Sequence, residues 1–329
     1  MRPISLAALL LCLLPLGACG GGSDEPDRAS SEARAADSGA REPQRFFKPG
    51  GIWNRPLRRD EQLDRRSETY AGELNRQVRR GGPWIATTSF SAPIYTVPRR
   101  QPRVRVRLKN RYPPLERALR RVPIPPGARP AAGTDRHIVV WQPSTDTMWE
   151  LWTARREGRG WRAGWGARMT RVSRRSGAFP NPTGATASGL PLVGGMIRAF
   201  ELRRGRIDHA LAIAAPVARR GRYVPPATRT DGQSSDSRSI PMGTRFRIDP
   251  SLDVRALRLP RAAEAIALAA QRYGMILRDK TGGSVNFYAE APREGNRNPY
   301  PDLFKGYPNN ILRRFPWDRL QVVAPRSTR

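Results

Sequence analysis

His137, Trp141, Glu150 and Trp152 fall where a short hairpin brings them to one face. Arg136 to Arg155 has the pattern of two strands around the loop Gln142-Pro143-Ser144-Thr145-Asp146-Thr147. With Trp141 closing on Met148, Val139 opposes Glu150 and His137 opposes Trp152. Directly opposed residues share a face. Ile138, Val140, Trp149 and Leu151 then form an apolar core face, and the opposite face carries a carboxylate, an imidazole and two indoles. That set suits a sugar. Indole rings stack on the apolar C–H faces of a pyranose, and carboxylate and imidazole bond its hydroxyl edges. Glu150 and His137 are also candidates for general acid and base.

Glycoside hydrolysis normally uses two carboxylates, for which Asp135, Asp208, Asp231 and Glu290 are candidate partners of Glu150. A polysaccharide lyase would use histidine and tyrosine with an arginine on the uronate; His137, His209, Tyr223, Tyr288 and Arg229 are available. In Ile207-Asp208-His209-Ala210-Leu211-Ala212-Ile213 strand parity puts His209 on the apolar face, which favours a satisfied core histidine over a third catalytic group. Two histidines with an aspartate are a weak metal pattern, and no metal or cofactor is expected. There is no P-loop or dinucleotide fingerprint, and Ser188 lacks a G-x-S-x-G frame. The run Asp231-Gly232-Gln233-Ser234-Ser235-Asp236-Ser237 lacks calcium-loop spacing and reads as a polar loop.

The elements that must position these residues read mainly as strands. Arg103 to Leu108 alternates strictly, one face apolar and one cationic. Further strands are expected over Trp161–Val172, Ile207–Ala215, Thr244–Asp249 and Ser284–Glu290. Helices are expected over Ser67–Arg80 and from Pro260 to a cap at Gly274, with a short turn over Gly194–Leu202. Many short strands, frequent Gly and Pro breaks and a few covering helices point to a mainly β single domain, a β-sandwich or jelly roll.

The N-terminus reads as an export signal. Met1-Arg2 precedes a Leu/Ala-rich run from Ile4 to Leu16, too short to span a membrane comfortably. It ends in Leu16-Gly17-Ala18-Cys19, which resembles the lipobox of bacterial lipoproteins. That resemblance implies cleavage after residue 18 and a lipid on Cys19, hence an extracytoplasmic, membrane-anchored protein. Cys12 would leave with the signal, so the mature chain would hold no thiol for a disulfide. Residues 19–45 are polar and acidic and read as a flexible linker; the β-rich domain is expected over 46–329.

The formal net charge is +31, almost all of it arginine, since only Lys48, Lys109, Lys280 and Lys305 are lysines. The basic residues are scattered and no nucleic-acid module is present, so nucleic acid is not expected. Acidic cell-wall polymer and anionic head groups are the nearer partners for an exported basic surface. The sequence names no oligomeric partner.

Several segments resemble an uncharacterised family of secreted bacterial proteins, actinobacterial in type. They are Ile52-Trp53-Asn54-Arg55-Pro56, Val122-Pro123-Ile124-Pro125, Asp135-Arg136-His137-Ile138-Val139-Val140, Trp149-Glu150-Leu151-Trp152, Ser188-Gly189-Leu190-Pro191, Gly205-Arg206-Ile207-Asp208-His209-Ala210-Leu211, Pro226-Ala227-Thr228-Arg229-Thr230-Asp231-Gly232 and Tyr273-Gly274. Members commonly show Ser-Asp-Gly at the Thr230-Asp231-Gly232 position, with histidine in place of Arg229. The resemblance covers nearly the whole domain and implies one domain, but no particular catalyst. From residue type and placement, the candidate catalytic residues are Glu150, His137 and His209. The candidate substrate-binding residues are Trp152, Trp141, Asp135, Tyr223, Asp231, Trp53 and Asn54. The expected function is recognition or cleavage of a cell-wall or environmental polysaccharide. The alternative is a non-catalytic envelope protein that binds acidic polymer or a protein partner.

Overall fold

A computed structural model describes residues 45–326. The export signal, Cys19 and the linker up to Gln44 lie outside the described residues. In chain order the strands are β1 Pro83–Ala86, β2 Ile94–Thr96, β3 Val106–Leu108, β4 Ile138–Gln142, β5 Thr147–Trp152, β6 Arg155–Glu157, β7 Gly160–Ala163 and β8 Trp165–Thr170. They continue as β9 Leu211–Ala215, β10 Ala218–Tyr223, β11 Ile240–Met242, β12 Arg245–Ile248, β13 Met275–Lys280, β14 Val285–Tyr288 and β15 Leu320–Val323. They form mixed sheets in the orders β1-β14-β9-β13-β12-β15, β2-β4-β5-β8, β3-β7-β6 and β10-β11. Helices are few, and the sheets do not close into a barrel.

Alternating side chains divide the interior into three cores. On β9, Leu211, Ile213 and Ala215 face one core while Ala212 and Ala214 face the next. The first core holds the helices Ser67–Gly81 and Arg261–Arg272 against the six-stranded sheet. The helix Arg261–Arg272 starts after Pro260 and is followed by Gly274 at φ +84°, as the sequence predicts. The second core lies where residues of β9, β13 and β14 meet Val139, Trp141, Met148, Ala167 and Met169 of the four-stranded sheet. The third joins the far face of that sheet to β3, β7 and the helix Pro113–Leu119.

The hairpin register is the predicted one, with Val139 opposite Glu150 and Trp141 opposite Met148. It closes one pair further out, at Gln142 and Thr147. Both of its faces are buried, each in a different core. The expected chemical face is thus mostly an inter-sheet face, because a second sheet covers it.

Other expectations need correction. The single strand expected over Trp161–Val172 is β7 and β8, in different sheets, broken at Gly164. A Cβ on Gly164 would collide with Thr153 Oγ1 and the Trp152 ring. The strand expected from Ile207 begins only at Leu211, so the parity argument for His209 has no strand to rest on. The short helix lies at Ala199–Arg204, after the expected turn has largely passed. Parallel pairs such as β9 with β13 and β2 with β4 were not expected.

Phe287 is fully buried on β14, its ring centroid 5.8 Å from Phe315 and 5.9 Å from Trp317. Phe287→Ala is expected to cost about 3–5 kcal/mol through lost burial and a residual cavity. A urea midpoint that stays at the wild-type value would show that this aromatic cluster does not support the sheet.

Candidate functional site

Between the 3₁₀ turn Val172–Arg174 and the helix Ala199–Arg204 the chain contains no regular strand or helix, yet Ala185, Leu190, Leu192, Val193 and Met196 are buried in the inter-sheet core. A buried backbone must find hydrogen-bond partners, and here side chains supply them. Glu150 of β5 is fully buried. Its Oε1 accepts the Ala185 N–H at 2.7 Å and its Oε2 the Leu192 N–H at 2.8 Å. Arg278 of β13 donates from Nη1 to the carbonyls of Leu192 at 2.7 Å, Gly194 at 3.1 Å and Pro191 at 3.3 Å, and its guanidinium lies 4.1 Å from the Tyr288 ring centroid. Arg229 donates to the carbonyls of Pro182, Thr183, Gly184 and Thr186 at 2.5–2.9 Å.

The segment held in this way forms one wall of a cleft of 560 Å³. The other walls include Asp135, His137, Trp152, Trp165, Asp231, Asp279 and Lys280. Trp152 and Trp165 are directly opposed on β5 and β8. Each ring is anchored by its N–H: Trp152 Nε1 donates to Asp135 Oδ1 at 3.1 Å and Trp165 Nε1 to the Pro182 carbonyl at 2.8 Å. Trp152 remains 39% exposed, so a stacking surface is open to solvent.

Asp279 reaches the cleft through an irregularity in β13. Leu277 pairs with Ile213 and Asp279 with the next residue, Ala214, leaving Arg278 as the extra residue of a bulge. Without it, alternation would send Asp279 to the helix side. With it, Arg278 and Asp279 both serve the inter-sheet side. Burial, reinforced by the charges of Asp231 and Asp135 against the pull of Arg278, pushes the Asp279 carboxyl up to about 7. Burial likewise raises Asp231, which Lys280 partly offsets.

His137 Nε2 lies 3.2 Å from the Ala185 carbonyl, so His137 and Glu150 hold the two polar groups of one residue. Burial pushes the imidazole down to about 4, against the raising charge of Asp135, which keeps it neutral at ordinary pH and makes its ring N–H the donor to that carbonyl. Glu150 is pushed up to about 7 by burial, opposed by its two backbone donors.

Of the residues singled out in the sequence, the cleft gathers Asp135, His137, Trp152, Arg229 and Asp231. Glu150 lies behind the wall, not in it. Trp141 is buried edge-on to Phe46 at 5.5 Å. Tyr223 is exposed on β10, outside the cleft lining. Trp53, Asn54 and His209 border a separate space of only 20 Å³. Trp53 Nε1 donates to the Gly177 carbonyl and Asn54 Nδ2 to those of Phe46, Phe47 and Lys48, so both brace loops. His209 Nε2 pairs with buried Glu201 at 3.1 Å, and that charge, set against burial, raises its pKa. The two histidines are therefore not brought together, and among the described residues no group of three or more His, Cys, Asp or Glu is placed to hold a metal ion. Asp279 and Trp165 were missed: Asp279 precedes a lysine in a stretch without a chemical motif, and Trp165 shares its face with Trp152 only through the β5–β8 pairing.

No known protein family, no curated protein and no solved structure matches this chain. No helix of the described residues is long and apolar enough to cross a membrane.

Glu150→Gln tests the wall. The amide nitrogen cannot accept the second backbone N–H, which the hydroxyl oxygen of the protonated native carboxyl still can, so a stability loss of about 1–3 kcal/mol is expected near pH 5. The native carboxyl is raised from its ordinary 4.5 to about 7. Its proton-linked contribution is fully present below the lower value and lost as pH rises through the higher one. The deficit of the variant should therefore shrink near pH 8. Denaturation midpoints at both pH values measure this, and an equal deficit at both would mean that Glu150 does not titrate in that window.

Proposed function

We propose that the cleft binds a neutral or amino-sugar polysaccharide and hydrolyses its glycosidic bonds. The reading is carried by one observation: two N–H-anchored tryptophans stand beside three carboxylates in a chain that is otherwise strongly cationic. The indoles supply the stacking surface. Asp279 holds its proton near neutrality and is the proton donor to the glycosidic oxygen. Asp135, oriented by Trp152 Nε1, is the second carboxylate, and Asp231 helps keep Asp279 protonated. Arg229 is spent on four backbone carbonyls rather than free to neutralise a uronate, and Lys280, the other cation of the lining, is set against Asp231. On this reading the export signal and a lipid on Cys19 hold the domain outside the membrane, and the six- and four-stranded sheets are the two leaves of a β-sandwich.

The test is a panel of neutral, amino-sugar and uronate polymers, scored for reducing ends and for unsaturated-uronate absorbance. Reducing ends are expected from a neutral or amino-sugar polymer, with the rate down about 10²- to 10⁴-fold in Asp279→Asn. Because Asp279 must be protonated, kcat/KM should fall as pH rises through about 7. A full rate in Asp279→Asn, absorbance growth, or no reaction with any polymer would each sink the hydrolase.

A second reading rests on a separate observation. The register of β3, β7 and β6 places Arg107, Arg162 and Arg155 side by side across three strands. Among the described residues only Arg162 of the three has an acidic partner, Glu157 at 3.0 Å, and like charges directly opposed destabilise a sheet. An acidic polymer laid across this row would relieve that repulsion. Retention on polygalacturonate is then expected, falling steeply with salt and weakened in the Arg107→Gln/Arg155→Gln double variant. Retention that the variant leaves unchanged would remove this face as the binding surface.

A further inference from the structure

A second, smaller pocket shares none of the cleft's lining residues and is bordered mainly by cations. It has a volume of 270 Å³ and lies between the Gly50–Ile52 turn, the Val224–Pro226 segment and the end of β15. Ile52, Val224, Pro225, Pro226, Val322 and Val323 give it apolar walls. Lys48, Arg55, Arg245 and Arg326 also border it, with Asp64 as the one acidic group in the lining.

The informative residue is Arg245. Its Nη2 donates to the Ile52 carbonyl, and among the described residues it has no carboxylate partner. Glu61 stands close enough to be felt, but its oxygens are already taken. Oε1 accepts from Arg55 at 2.7 Å, and both oxygens accept from Arg326 at 2.9 Å. The Arg58 N–H reaches Oε1 as well, at 3.2 Å. Asp64 Oδ1 is turned to the Arg66 N–H at 2.7 Å. Arg245 therefore keeps donors with no acidic partner at the side of an apolar pocket. Burial and the charges of Arg55 and Arg326 push its guanidinium down to about 10, with Glu61 offsetting part of this, so an incoming anion would be welcomed by a charge that the fold leaves uncompensated.

We propose that this pocket binds a small monocarboxylate with a compact apolar body, its carboxylate on Arg245 and its body against Val224, Pro225 and Val323. A planar, singly charged acid matches one guanidinium edge. Arg55 and Arg326 are committed to Glu61, so of the bordering cations only Arg245 and Lys48 are left for an anion, and Arg245 is the one that presents a planar fork. Two sources share this chemistry: a free aliphatic or aromatic acid, and the C-terminal residue of a peptide.

The experiment is a titration of the full-length protein with 3-phenylpropionate and with N-acetyl-valine, followed by protein NMR shifts or thermal stabilisation. 3-Phenylpropanamide and inorganic phosphate serve as comparison probes. One of the two acids is expected to bind saturably, the amide and phosphate far more weakly, and Arg245→Met about 10- to 100-fold more weakly than wild type. Preference for N-acetyl-valine points to a peptide terminus, preference for 3-phenylpropionate to a free acid. Gly50→Trp guards against a folding defect in the Arg245 variant. A Cβ at Gly50 meets nothing within 4 Å, so the indole can fill the pocket mouth while Arg245 stays intact, and binding should again be lost. Equal binding of acid and amide, tighter binding of phosphate, or unaltered binding in Arg245→Met or Gly50→Trp would overturn the proposal.

Discussion

A segment without regular secondary structure lies buried between two sheets, and a carboxylate and two arginines make this possible. Glu150 collects N–H groups from the four-stranded sheet, and Arg278 collects carbonyls from the six-stranded sheet. Arg229 closes the outer end of the same segment. Each charge lies in a low-dielectric setting where an unpaired group is costly. Between them they give the segment one conformation, because only that conformation presents its donors to the acid and its acceptors to the bases. The cleft wall, the placement of His137 on Ala185 and the anchor for Trp165 at Pro182 all follow from it.

This gives a structural use to part of the arginine excess. Arg247 donates to the Arg58 carbonyl and Gln321, and Arg245 to the Ile52 carbonyl, as Arg229 and Arg278 do elsewhere. A guanidinium presents five N–H donors in a rigid fork, which suits it to gathering the carbonyls of proline- and glycine-rich loops whose own amides are missing or turned away. Other arginines stay on the surface, so cationic outer faces coexist with a cleft that gathers three carboxyl groups. The cleft sets three carboxyl groups beside Lys280 because Arg229 is committed to backbone and because the bulge at Arg278 turns Asp279 inward.

The local elements were legible in the sequence. The hairpin register followed from alternation between Ile138 and Leu151, since a one-residue slip would exchange every side chain between faces. The helices Ser67–Gly81 and Arg261–Arg272 followed from their apolar stripes and from Pro260 and Gly274. Asp135, His137, Trp152 and Asp231 were legible as candidates because polar and aromatic types stand out in strands and turns.

What the tertiary structure decided was which face meets water. Alternation assigns Glu150 and Trp141 to a face, but only the arrival of the second sheet makes that face an interior one and turns Glu150 from an apparent catalyst into a clamp. Parallel pairings such as β9 with β13 join segments far apart in the chain, and no local pattern encodes their partners. The bulge that delivers Asp279 is a mismatch between two strands, a property of the pair that neither strand carries alone. The sequence by itself determined the short-range periodicities and the inventory of charged and aromatic groups. The chemistry of the cleft depends on desolvation and on neighbours distant in sequence, and those exist only once the sheets have packed.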